Sequence, residues 1–179
     1  TEERLEKYNM SVPYKYSIGG MIVREDGSSG IEAADLSDWA GKKAGGGAGT
    51  QYMKIAEKLG AEPVIYDNVT NDVYLRDVST GRTDFIPNDY YTQVIAIKYI
   101  TAQYPDIKVK MGTAKYNPTE QAIVMSKKDD TLKKKLDQVI EEMKEDGTLK
   151  AISEKYYAGQ DLTVPEEGVE DLPVIDTSN

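Results

Sequence analysis

The run Ala44-Gly-Gly-Gly-Ala-Gly-Thr50, leading into Gln51-Tyr-Met-Lys-Ile-Ala-Glu-Lys-Leu59 and closed by Gly60, limits what this chain can fold into more than any other stretch. Leu36 to Gly41 reads as a helical turn and a corner, and Lys42-Lys43 open a short strand, so the glycines fall where strand becomes helix. Glycine removes side-chain bulk and tolerates positive φ, and the first amides of the helix that follows are unpaired at the positive end of its dipole. Such a turn can hold an anion or a polar backbone group. It reads equally as a tight turn with Thr50 near the helix N-cap. It is not a nucleotide fingerprint, because no Gly-Lys-Ser/Thr follows and the spacing is not G-x-G-x-x-G.

At 179 residues, the chain is long enough for one ordinary domain or two small ones. A formal net charge of -9 argues against nucleic acid as a partner, since such a binder neutralises phosphates with a basic face. Lys133-Lys134-Lys135 is followed one turn later by carboxylates, as on a solvated helix face. The absence of cysteine and histidine removes the commonest zinc ligands, thiol nucleophiles and Ser-His-Asp catalysis. No catalytic residue, metal or cofactor is therefore expected. The lack of cysteine is silent on compartment. No apolar run reaches the length of a membrane span, and Thr1-Glu-Glu-Arg4, without an initiator Met, reads as the start of a processed or excised piece.

Taken in order, residues 1–8 have weak helical spacing, broken at Ser11-Val-Pro-Tyr14. Gly19-Gly20 lead into a strand at Met21-Ile-Val23. After the glycine loop and its helix, Glu62 to Tyr66 is a strand and residues 68–81 hold a helix. Asp84-Phe-Ile86 is a strand ended by Pro87-Asn-Asp89, Tyr90 to Ala102 a helix, and Ile107 to Met111 a strand. The rhythm predicts an α/β fold with a mainly parallel sheet, in which both the glycine loop and Asn88-Asp89 lie at carboxyl ends of strands, where such sheets bind ligands. Beyond Asn117 the rhythm breaks. Gln121 to Met125 reads as a strand, and two amphipathic helices follow, with stripes Leu132, Leu136, Val139, Ile140, Met143 and Leu149, Ile152, Tyr156. Residues 160–179 are acidic and aperiodic and read as a mobile tail.

This ordered set of landmarks resembles the family 3 extracellular solute-binding proteins of polar amino-acid ABC transporters. The resemblance is carried by Thr1-Glu-Glu-Arg4, Ser11-Val-Pro-Tyr14, Asp35-Leu36, Gly41-Lys42, Gly49-Thr50, Gly81-Arg-Thr-Asp84, Asn88-Asp89, Gln121-Ala-Ile-Val124, Asp146-Gly-Thr-Leu149 and Lys155-Tyr-Tyr157. It implies a type II periplasmic-binding-protein-like fold in which two α/β lobes close on an amino acid and present it to a membrane permease. On that pattern residues 1–20 are the remnant of lobe 1 and a hinge crossing, 21–116 a complete lobe 2, 117–159 the second crossing and the end of lobe 1, and 160–179 a tail. Most of lobe 1 is expected to be missing, which leaves the two helix stripes uncovered and predicts self-association of the fragment.

The resemblance also assigns roles. Arg4 matches the arginine that grips the ligand α-carboxylate, a task suited to the bidentate guanidinium fork; without the resemblance it reads as a surface charge. Asp89 matches the carboxylate that receives the α-ammonium and can at the same time cap a helix. Gly49, Thr50 and Gln51 match the element that holds the amino-acid head group from a helix start. Tyr14 lines the cleft or packs the hinge, and Asn88 neighbours the ligand aspartate. The run Asp84-Phe-Ile-Pro-Asn-Asp-Tyr-Tyr91 is reminiscent of Gram-positive members assigned to cystine, so cystine, glutamine or a similar polar amino acid is the expected ligand. The implied location is extracytoplasmic, with a lipoprotein anchor on the full-length form. Two other classes share the architecture: a ligand-sensing clamp of a receptor, and a dehydratase-like enzyme relying on Asp89, a Lys or a Glu.

Overall fold

The computed structural model describes the backbone of residues 2–177 and the side chains of residues 5–177. The elements run α1 (Glu2–Lys7), β1 (Tyr8–Met10), β2 (Lys15–Arg24), β3 (Lys43–Gly47), α2 (Gln51–Lys58), β4 (Glu62–Tyr66), α3 (Asn71–Ser79) and β5 (Phe85–Asp89). They continue with α4 (Tyr90–Gln103), β6 (Val109–Met111), β7 (Tyr116–Gln121), β8 (Val124–Ser126), α5 (Asp130–Glu145) and α6 (Thr148–Tyr156). Two units emerge: Thr1–Ser17 with Thr119–Val169, and Ile18–Pro118 with Glu170–Asn179.

The second unit is built on a sheet in the order β4-β3-β5-β2-β6, with β7 also pairing β2. β3 is parallel to β4 and β5, whereas β2 is antiparallel to both β5 and β6. The expected mainly parallel sheet is therefore corrected to a mixed one. The alternation of strand and helix was read rightly for β3, β4, β5 and β6, and the strand expected at Met21-Ile-Val23 is part of β2, but the reading missed that β2 inserts against their direction between β5 and β6. The sheet is buried on both faces, so neighbouring strand residues serve different cores. Met21, Val23 and Phe85 join Trp39, Ile55 and Tyr116 on one face, while Ile22 and Ile86 join Leu75, Val78 and Val109 on the other.

The glycine run departs from its expected role. It is strand β3 itself, and the turn is confined to the three residues between Gly47 and Gln51. A Cβ on Gly46 would lie 2.4 Å from Met53 Sδ, so the missing side chain is what lets α2 settle onto the strand. β2 likewise runs unbroken through Gly19, where a Cβ would fall 2.5 Å from the Tyr116 ring.

Arg24 ties the far edge of this unit together. Its guanidinium pairs with Asp84 at 2.9 Å and donates to the carbonyls of Thr83 and Ser28 at 2.8 and 3.0 Å. Burial pushes the Asp84 carboxyl up, but the Lys43 amide and Arg24 outweigh it and hold the group below its ordinary 3.8. A depressed carboxyl stabilises the fold above its unfolded value and loses that contribution as pH falls through the folded one. Replacing Arg24 by methionine is expected to cost about 2 kcal/mol at pH 7, from charged hydrogen bonds of roughly 1.5–3 kcal/mol. The gap to the parent in urea titrations should narrow at pH 3. A gap that stays constant would remove Asp84 from the account.

The other unit holds the antiparallel pair β1 and β8, with Asn9 opposite Met125, and the helices α5 and α6. Val12 N donates to Asp137 on α5 at 2.7 Å. Of the stripes read from the sequence, Leu132, Val139, Ile152 and Tyr156 are exposed, Leu136, Met143 and Leu149 half-buried, and Ile140 buried.

The tail is not the loose segment its composition suggested. Leu162 is buried, its carbonyl accepting from Tyr16 N at 2.8 Å. Further on, Asn117 receives the chain with three bonds, two of them reciprocal between its amide and the backbone of Ile175 at 2.8 and 2.9 Å. Ile175 packs on the core around Trp39 and Tyr116. Single anchors of this kind leave no periodicity to read.

Candidate functional site

At the carboxyl end of β3, Gly49 takes φ +69°, a conformation that favours glycine, and turns the chain into α2. Thr50 caps that helix, its Oγ1 accepting from Met53 N at 3.3 Å. Gln51, the first helical residue, is exposed and its side chain bonds the Thr177 hydroxyl. At the neighbouring carboxyl end of β5, Asn88 is exposed and its Oδ1 accepts from the Asp89 amide at 2.8 Å. Asp89 is only 7% exposed and caps α4, Oδ1 accepting from Thr92 N at 2.7 Å. The cap half of the expected double role of Asp89 is present.

Of the other expected residues, Tyr14 belongs to the other unit, half-buried on the link from β1 to β2, with its amide donating to Gln121 O at 3.0 Å. The side chain of Arg4 lies outside the described residues. Among the described residues no group of three or more His, Cys, Asp or Glu is placed to hold a metal ion, and no helix is long and apolar enough to cross a membrane.

Two residues escaped the sequence reading. Tyr52 was not singled out from the sequence; burial and the negative charge of Asp89 push its phenol well above the ordinary value. Gln93 lies buried on α4 beside a cavity of about 160 Å³ that opens between the ends of β3 and β5 and the helices α3 and α4. Thr50, Asn71, Tyr74, Asn88 and Thr92 are among the residues that line it, and no charged residue is.

Residues 1–159 match the bacterial extracellular solute-binding proteins, family 3. The chain belongs to this family. It is 46% identical over 164 residues to the probable ABC transporter extracellular-binding protein YckB of Bacillus subtilis (strain 168), covering 91% of this chain and 55% of that protein. To the L-cystine-binding protein TcyJ of Escherichia coli (strain K12) it is 32% identical, covering 91% and 58%. The chain thus spans somewhat over half the length of the curated relatives it matches. The crystal structure of YckB superposes with a TM-score of 0.81 at 44% identity over 98% of this chain and 67% of that one. An ancestral arginine-binding protein bound to arginine gives 0.68 at 28% identity, over 88% and 67%. The fold is α/β of the type II periplasmic-binding-protein kind, and the family and these relatives are transport binding proteins, not enzymes.

Proposed function

We propose that the chain supplies ligand-binding surface to the solute-binding component of an amino-acid ABC importer, working outside the cytoplasm and delivering a free polar amino acid to a membrane permease. The observation that carries this reading is the meeting, at adjacent strand ends of one unit, of a capped helix start at Thr50-Gln51 and the Asp89 carboxylate. A helix N-terminus offers unpaired amides to an anion and a carboxylate pairs with an ammonium, so together they suit the two ends of a zwitterion. Arg4 is assigned to the ligand α-carboxylate on family pattern, and Gly49, Gln51, Asn88 and Tyr14 to flanking contacts. The relatives support the reading in kind: one is named for L-cystine and one was solved with arginine, different side chains on a shared head group.

The test is native mass spectrometry of the chain with and without a mixture of polar amino acids. The expected result is a mass adduct that, on release, is identified as a free amino acid. Absence of any adduct at millimolar ligand would count against this chain carrying the head-group site.

A further inference from the structure

The stretch that matches the family pattern ends at residue 159, yet residues 173–177 are built into the unit that carries Thr50 and Asp89. Asn117 holds them as a neighbouring strand would. Its amide donates to Pro173 O at 2.9 Å, its Nδ2 to Ile175 O at 2.9 Å, and its Oδ1 accepts from Ile175 N at 2.8 Å. Asn117 sits at φ +44°, a left-handed conformation in which asparagine is enriched. Ile175 packs on the cluster of buried residues to which α2 contributes Met53, Ile55 and Ala56. Two further contacts reach α2 itself, one at each end: Lys58 Nζ donates to Asp176 O from the last turn, and the Gln51 side-chain amide donates to the Thr177 hydroxyl from the first.

An eight-residue helix has little stability of its own, and α2 hangs from a turn whose Gly49 takes a positive φ. Its first amides favour an anion only while they are held in one orientation. Affinity falls in proportion to the fraction of time that the competent arrangement is absent. We propose that residues 173–177 brace the head-group site, with Asn117 and Ile175 as positioning residues for amino-acid binding. Neither touches the ligand; both act through α2. The proposal rests on the head-group reading above, because the element it steadies is the helix start at Thr50-Gln51.

The experiment is amide hydrogen exchange on the full chain without ligand, followed by calorimetric titration with glycine, L-glutamine and L-arginine. The parent is compared with Asn117→Gly, Ile175→Ser and Ile175→Val. Glycine at 117 keeps the positive φ and removes both side-chain bonds. Exchange within α2 should quicken at least about tenfold in Asn117→Gly, the scale of two ordinary hydrogen bonds, while exchange within α4 changes less than about twofold. The amino acid that binds the parent most tightly should bind Asn117→Gly and Ile175→Ser at least about threefold more weakly, and Ile175→Val should keep the parent affinity. If Ile175→Ser folds poorly, Asn117→Gly decides. A role confined to overall stability would quicken α2 and α4 alike and leave the affinity of the folded variants unchanged. That result overturns the brace, as does unaltered exchange within α2. Failure of the parent to bind any of the three amino acids overturns the head-group reading, and the positioning role with it, even where exchange within α2 responds.

Discussion

Asp89→Asn is expected to weaken amino-acid binding by at least about a hundredfold while leaving the melting temperature within a degree or two. Asparagine keeps an oxygen where Oδ1 accepts from Thr92 N, so the start of α4 stays capped. What it loses is the negative charge, and a ligand ammonium then enters a desolvated position without its partner, at about 3–5 kcal/mol. Asp89→Ala mixes two effects, because it also removes the cap at about 1 kcal/mol. That cost follows from the 7% exposure and the cap bond of this residue. Calorimetry beside thermal melting separates the two variants. Full affinity in Asp89→Asn would take the carboxylate out of the site.

The largest loss of stability is expected from Trp39→Ala, at about 3–5 kcal/mol. Trp39 is fully buried, with its ring centroid 4.6 Å from that of Phe85 and 5.3 Å from that of Tyr116, the latter edge-on at 90°. Alanine would open a cavity at the point where the turn before β3, the sheet and β7 converge. Trp39→Phe should cost less than half as much, since the indole Nε1 is buried without a partner and phenylalanine removes that unpaired donor along with part of the volume. Urea unfolding followed by far-ultraviolet dichroism is the measurement, because each variant deletes the chain's single tryptophan and its fluorescence. Equal costs for the two variants would mean that lost volume does not govern the site.

What could be read from the sequence was what repeats locally. The strands and helices from β3 to β6 follow one another at short range, and Asp89 sits just after Pro87-Asn88 where a helix begins, so its capping role was legible. The insertion of β2 was not, because it depends on partners such as Phe85 and Val109, tens of residues away. Gly19 illustrates the difficulty: it was read only as leading into a strand, yet it lies within β2 against the Tyr116 ring, which a distant segment supplies. Gly46 misled in the same way, through Met53. Gln93 was invisible because its burial is a property of packing and not of spacing.

The docking of the C-terminal segment also has a practical side. Thr177 meets the side chain of Gln51 at the first turn of α2, and the chain contains no cysteine. A Thr177→Cys variant would therefore carry one thiol, placed beside the helix start proposed to meet the ligand. An environment-sensitive dye attached there would turn this protein into an optical sensor, reading occupancy from a position that touches the site only through Gln51.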